Sequence, residues 1–275
     1  MALNIITDST ADLPAHFAEN NSVKVVPLNI HIRNEVFRDG IDISNSDYYS
    51  LLRREKIFPL TSQPSSGDFL NIYENLQNND DALVLLISSQ LSGTIQSAQL
   101  ASDMMDNKDI RIEIIDSLST TTGLAFQVIK ACELKKAGKN IDEIKAEIGK
   151  IRDQLKIFFV VDDLEYLSRG GRISHISKLI GSILQIKPVL CINKGKIEVF
   201  EKIRTRKKAV ERIIFELNNY ENLQKLAVIH VDALDEALLL HDKIKEFFPG
   251  KILINEVGPV IGTHTGPGSL GLVFY

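Results

Sequence analysis

The stretch "ALVLLISSQLSGTIQSAQLASDMM" (82–105) runs from a β-rich apolar segment, through a loop crowded with hydroxyls, into an amphipathic segment of helical spacing. Strand, short polar loop and helix make one βα unit, and the flanking sequence repeats the pattern. Upstream, "LNIIT" (3–7) reads as a strand and "ADLPAHFAEN" (11–20) as a helix with Asp12 at its cap and Pro14 in its first turn. "VKVVPLNIHI" (23–32) followed by "EVFRDGIDI" (35–43) predicts a strand leading into a small hairpin. "SDYYSLLRREKI" (46–57) and "DFLNIYENLQ" (68–77) read as helices on either side of the irregular "FPLTSQPSSGDF" (58–69). Downstream come a strand, "RIEIIDS" (111–117), and two helices, "GLAFQVIKACELKKAG" (123–138) and "IDEIKAEIGKIRDQL" (141–155). The fold class is α/β, with a mainly parallel sheet in this half.

A different rhythm starts at "KIFFVVDDLEYL" (156–167), so the expected domains are 1–155 and 156–275. Two short helical stretches are expected around "SRGGRISHISKLIGSIL" (168–184). "KPVLCIN" (187–193) and "KIEVFEKI" (196–203) form a hairpin turning at Lys194 and Gly195. Two helices then alternate with "KLAVIHV" (225–231) and "KILINEV" (251–257), giving a second α/β domain with a mixed sheet.

The chain has 275 residues, 44% of them hydrophobic and 25% charged, as in ordinary globular proteins. Its net charge of −4, from 32 basic and 36 acidic side chains without a long block of one sign, argues against nucleic acid as a partner. The basic "KIRTRKK" (202–208) reads as a solvated helix start that could dock an acidic partner. Cys132 and Cys191 lack CxxC spacing and sit among apolar residues, as reduced core cysteines do. "MALNIITDST" (1–10) has neither the charged nor the apolar region of a signal peptide, and no apolar run reaches membrane-spanning length, so a cytoplasmic protein is expected.

Three strands run straight into polar loops, "IITDST" (5–10), "LLISSQLSGT" (85–94) and "IEIIDSLSTTTG" (112–123). In a parallel sheet these loops share the carboxyl-end rim where α/β proteins bind ligands, which puts Asp8, Ser9, Ser92, Thr94, Asp116 and Ser117 together. Thr10, Asp12, Ser119 and Thr120 suit helix capping instead, whereas "SSQLSGT" has more hydroxyls than one cap requires and points to a ligand at Ser92. None of these loops is GxGxxG or GxxxxGK[ST], so a nucleotide loop is not expected. No HExxH or paired histidine spacing marks a metal. "LSRGGRIS" (167–174) holds Arg169 and Arg172 close through Gly170 and Gly171, either for a carboxylate or phosphate or simply as two solvated arginines on a turn. "GTHTGPGS" (262–269) reads either as an anion cradle, with His264 as a donor adjustable near neutral pH, or as a turn between "KILINEV" and "LGLVFY" (270–275). A Ser92–His264 dyad oriented by Asp8 or Asp116, as in a Ser/His hydrolase of a small acyl ester, is the alternative chemistry, though "LSGT" is not GxSxG.

Taken in order, "ITDSTADLP" (6–14), "VVPLNI" (25–30), "FRDGIDI" (37–43), "PLTSQPSSGDF" (59–69), "SSQLSGTIQSA" (88–98), "IIDSLSTTTG" (114–123), "LEYLSRGGRIS" (164–174), "IKPVL" (186–190) and "EVGPVIGTHTGPGSLGLVF" (256–274) resemble the DegV family of bacterial lipid-binding proteins. The resemblance implies two α/β domains with one long-chain fatty acid in a tunnel between them, no cofactor and no catalysis of the protein's own. It implies a separate ATP-dependent fatty acid kinase as partner, which converts the presented carboxylate to an acyl phosphate for phospholipid synthesis, and at most transient contact with a membrane surface. Carried over by motif, the carboxylate falls to Thr61, Ser62, Ser92 and His264, and kinase engagement to Arg169 and Arg172. Phe37 stands where many members have Tyr, and Arg169 where Lys is frequent, which makes Arg172 the firmer of the two arginines. Phe126, Ile129, Phe158, Phe159, Ile176, Ile180, Ile183 and Leu184 are candidates for the tunnel wall, with ordinary core packing as the competing role.

Overall fold

Ala82, Val84 and Leu86 project to one side of their strand and Leu83 and Leu85 to the other, and all five are buried. The run is continuous rather than alternating because each face of the strand meets a layer of helices. The computed structural model, which describes residues 2–106, 109–173 and 186–275, places this strand in the first of two compact units, Met1–Asp42 with Thr61–Gln154. The main sheet there is wholly parallel, in the order β2 (Lys24–Val26), β1 (Leu3–Asp8), β6 (Asp81–Leu86), β7 (Arg111–Asp116). On one face Ile5, Leu83 and Leu85 pack with Leu124 and Val128 of α5 (Thr121–Lys136) and Ile144 and Ile148 of α6 (Ile141–Gln154). On the other, Ile6, Val84 and Leu86 pack with Phe69 and Tyr73 of α3 (Ser66–Glu74) and Ala98 and Ala101 of α4 (Thr94–Met104). The Ser-rich approach to α3 is a capping box, in which Ser65 Oγ accepts from the Asp68 N–H and Asp68 accepts in return from the Ser65 N–H.

Two local expectations change. The strand expected across 23–32 divides at Pro27 into β2 and β3 (Asn29–Ile32), because proline has no N–H for a ladder. β3 then pairs with β4 (Glu35–Arg38) and β5 (Leu60–Ser62) in a separate three-stranded sheet, order β4-β3-β5. Asp12 does not cap α1 (Ala15–Asn20); it turns left-handed, φ 50°, while Asp8 caps the single turn Ser9–Ala11.

The second unit is Ile43–Leu60 with Leu155–Tyr275. Its six strands run β10 (Lys196–Glu201), β9 (Val189–Asn193), β8 (Lys156–Val160), β13 (Leu270–Phe274), β11 (Leu226–His230), β12 (Ile252–Glu256). All neighbours are antiparallel except β11 and β12. The β9–β10 hairpin turns at Lys194 and Gly195, both at positive φ, as a tight two-residue turn matched to strand twist requires. One face packs on α8 (Arg206–Leu217) and α9 (Leu234–Lys245) through Ala209, Ile213, Ala237, Leu240 and Ile244. Phe158 is part of this core, against Phe200 and Phe274. The short helices expected across 168–184 fall largely on residues 174–185, outside the described residues, as do Ile176, Ile180, Ile183 and Leu184.

Helix α2 (Asn45–Glu55) interrupts the first unit in sequence yet packs with the second. Tyr48 and Tyr49 are buried; Tyr49 Oη donates to the Val257 carbonyl (2.5 Å) and Tyr48 Oη lies 2.5 Å from Thr263 Oγ1. Arg53 pairs with Asp232, and Asn45 donates to Glu256 across 3.3 Å. Sequence order alone groups this helix with residues 1–155, since its partners lie some two hundred residues on. Tyr49→Phe leaves the buried Val257 carbonyl without this donor and is expected to lower stability by about 1–2 kcal/mol, read from urea denaturation.

Candidate functional site

Parallel pairing of β1, β6 and β7 sets their carboxyl ends side by side, and the loops there are tied to one another. The Ile87 N–H donates to Asp8 Oδ2, the Ser88 N–H to the Ser119 carbonyl, and Ser89 Oγ to Asp116 Oδ2 (2.5 Å). Ser9 Oγ accepts from the Leu28 N–H, and Ser117 Oγ accepts from the Ser119 N–H. Asp8 is fully buried, and burial pushes its carboxyl up to about 6 against the lowering pull of Thr10 and the Ile87 amide. Asp8, Ser9, Asp116 and Ser117 therefore act as fasteners of the rim.

The hydroxyls of the other two motifs are arranged differently. Ser92 and Thr94 lie at the start of α4, their oxygens 2.8 Å apart, with Thr94 buried and Ser92 half-buried. Thr61 and Ser62, also half-buried, end β5. Gln63 joins the two segments: its Nε2 donates to Ser97 Oγ on α4 (2.8 Å), and its amide rests so close on Gly93 that a Cβ there would collide with it. The glycine of "LSGT" thus leaves the space that the glutamine amide of "TSQPS" occupies. His31, on β3 beside β5, brings Nε2 to 2.8 Å from Ser62 Oγ. Sequence reading passes over His31; the available signal is a polar residue on the half-buried face of "NIHI", whose Ile30 and Ile32 fill the opposite face.

In the second unit "GTHTGPGS" is neither a plain turn nor a cradle of free amides. Its first half ends helix α10 (Pro259–Thr265), and the Gly266 and Gly268 N–H groups donate to the carbonyls of Gly262 and Val231. Thr263, Thr265 and Ser269 donate to backbone carbonyls within 259–266. His264 is buried, and a Cβ on Gly170 would strike its ring, so the "RGG" turn sits directly against the imidazole. Burial, helped by the nearby Arg172 charge, pulls its pKa down to about 3. His264 is a neutral donor or acceptor at physiological pH, which corrects the expectation of a charge adjustable there.

The two arginines separate. Arg172 is half-buried, donates from Nη1 to the Gly170 carbonyl (2.6 Å), and has its pKa lowered by burial. Arg169 ends α7 (Leu164–Arg169), exposed, its guanidinium 3.9 Å above the Phe58 ring and paired with Glu165 at 2.6 Å. Phe58 in turn contacts Tyr166, ring centres 4.9 Å apart. Within the first unit the fold joins the Ser62 and Ser92 segments; within the second it joins His264 to Arg172. Among the described residues no group of three or more His, Cys, Asp or Glu side chains is placed to hold a metal ion, and no helix is long and apolar enough to cross a membrane.

The model of the family described as "Uncharacterised protein, DegV family" matches residues 2–275, and the chain belongs to that family. Protein DegV of Bacillus subtilis is 37% identical to it over 279 residues, spanning 99% of this chain and 98% of that protein. The crystal structure of DegV from Bacillus subtilis, described as a fatty acid binding protein, matches at TM-score 0.91 and 34% identity, covering 100% of this chain and 99% of that one. A DegV family protein from Thermus thermophilus, described by its fatty acid binding, matches at TM-score 0.89 and 33% identity over 100% and 99% of the two chains.

Proposed function

We propose that this protein is a cytoplasmic carrier that binds one long-chain fatty acid and presents its carboxylate to a separate ATP-dependent kinase. The observation that carries this reading is end-to-end similarity to structures described as fatty-acid-binding. The carboxylate is assigned to Thr61, Ser62, Ser92 and His264. Hydroxyls and a neutral imidazole suit that task, since they donate to an anion without a fixed buried ion pair that would hinder release. Affinity comes from the tail, since at ~0.8 kcal/mol per CH₂ a 16-carbon chain gains about 11 kcal/mol before ordering costs.

On the kinase a carboxylate oxygen attacks the γ-phosphorus of ATP, the bond to the β–γ bridging oxygen breaks, ADP leaves and the acyl phosphate forms. Arg172 is assigned to productive engagement with the kinase, and Arg169, already stacked on Phe58 and paired with Glu165, contributes less. A Ser/His hydrolase is not favoured: an imidazole with pKa near 3 is a weak general base.

Organic extraction of the purified protein followed by mass spectrometry is expected to yield one fatty acid per chain. Protein that is empty and hydrolyses acyl esters, with loss of activity in Ser92→Ala, overturns the reading. Arg172→Ala is expected to keep its lipid while losing phosphorylation by the kinase, and loss of the lipid would move Arg172 from partner contact to ligand binding.

A further inference from the structure

A serine hydroxyl has one proton and two lone pairs, so what it offers a ligand depends on which neighbour takes that proton. Ser62 Oγ has such a neighbour, the His31 Nε2 at 2.8 Å. If that nitrogen is bare, it accepts the Ser62 proton, and the lone pairs left over repel an anion. If it carries a proton, it donates to Ser62 Oγ, and the Ser62 O–H is left to point at a ligand. Only the second arrangement suits a carboxylate, which accepts and never donates.

We infer that His31 is a positioning residue for the head group: it holds its proton on Nε2, fixes Ser62 as an acceptor on that side, and so aims the Ser62 O–H at the fatty acid. The inference rests on the proposed binding of the carboxylate by Ser62. The local fold supports it. Ile30 and Ile32 are buried on the far face of β3, which sets the strand's register and turns His31 toward β5. The hydrogen bonds run in one direction, imidazole N–H to hydroxyl to carboxylate, and each link polarises the next. Head groups are thereby sorted. A carboxylate gains a charge-assisted bond, whereas an alcohol of the same chain length does not.

The test compares delipidated wild type with His31→Leu, His31→Gln and Ser62→Ala for binding of palmitate and of 1-hexadecanol, and reads the His31 tautomer by ¹⁵N NMR in the palmitate complex. The preference for palmitate is expected to fall about tenfold in His31→Leu, the share of a charged-group hydrogen bond that orientation controls. His31→Gln, whose amide can donate from the same place, is expected to keep the wild-type preference, and Nε2 is expected to carry the proton in the complex. An unchanged preference in His31→Leu or a bare Nε2 in the complex overturns the inference and leaves Ser62 as a ligand. An unchanged preference in Ser62→Ala overturns both the inference and the role of Ser62 beneath it. The tautomer reading on unsubstituted protein stands even if His31→Leu fails to fold.

Discussion

Gly266→Ala is expected to remove about 4 kcal/mol of stability, from two costs that act at one atom. Gly266 sits at φ 77°, ψ 158°, backbone that only glycine adopts readily. An added Cβ would also lie 2.5–2.9 Å from three ring carbons of Tyr166. That ring has little room to retreat, because Phe58 lies against it and Arg169 covers Phe58. Urea denaturation measures the loss directly, and the melting temperature should drop by roughly 10 °C. A loss below about 1 kcal/mol would mean that Tyr166 swings aside and does not brace the residue following α10. The same brace holds the end of the helix that carries His264.

The second large effect is in acid. His264 has a folded pKa of about 3 against an ordinary 6.5, so as pH falls through 6.5 the unfolded chain takes up a proton that the folded protein refuses. Its stabilising share is complete above about pH 7, is down by about 2 kcal/mol at pH 5, and continues to fall toward pH 3. Asp8 works the other way. With its pKa raised to about 6 from 3.8, the folded protein binds the proton first, and stability is gained as pH falls from about 6 to about 4. The two partly cancel, so wild-type stability alone reveals little, and the informative quantity is the difference between wild type and His264→Gln. That difference should shift against the wild type by about 2 kcal/mol between pH 7.5 and pH 5. A difference that stays constant with pH shows that His264 is not held neutral.

Much of the first unit is legible in the sequence because a strand buried on both faces leaves an unmistakable apolar run, as at 82–86, and helix spacing follows directly. The hairpin at Lys194 and Gly195 is equally local, a turn written in two residues. What the sequence hides depends on distant partners. Nothing within "SDYYSLLRREKI" announces that Tyr48 and Tyr49 answer to Thr263 and Val257. Asp12 has the chemistry of a cap but the wrong backbone, a property of the turn before it. The carboxylate candidates separate in the same way. Their hydroxyl chemistry is visible in "TSQPS" and "LSGT", whereas the Gln63 bridge that joins those motifs and the His31 contact behind Ser62 arise only from packing. The charge state of His264 is likewise set by burial, which a glycine-rich sequence does not display.

Because α2 belongs with residues 155–275, the chain is made in an order that its architecture does not follow. Tyr48 and Tyr49 leave the ribosome some two hundred residues ahead of their partners Thr263 and Val257. At elongation rates of roughly 5–20 residues per second, the two aromatic side chains wait on the order of 10–40 s before they can be covered. The second unit therefore cannot close before residue 257 is made, and a nascent chain halted between residues 49 and 257 carries the tyrosine pair without its partners, open to chaperones and proteases.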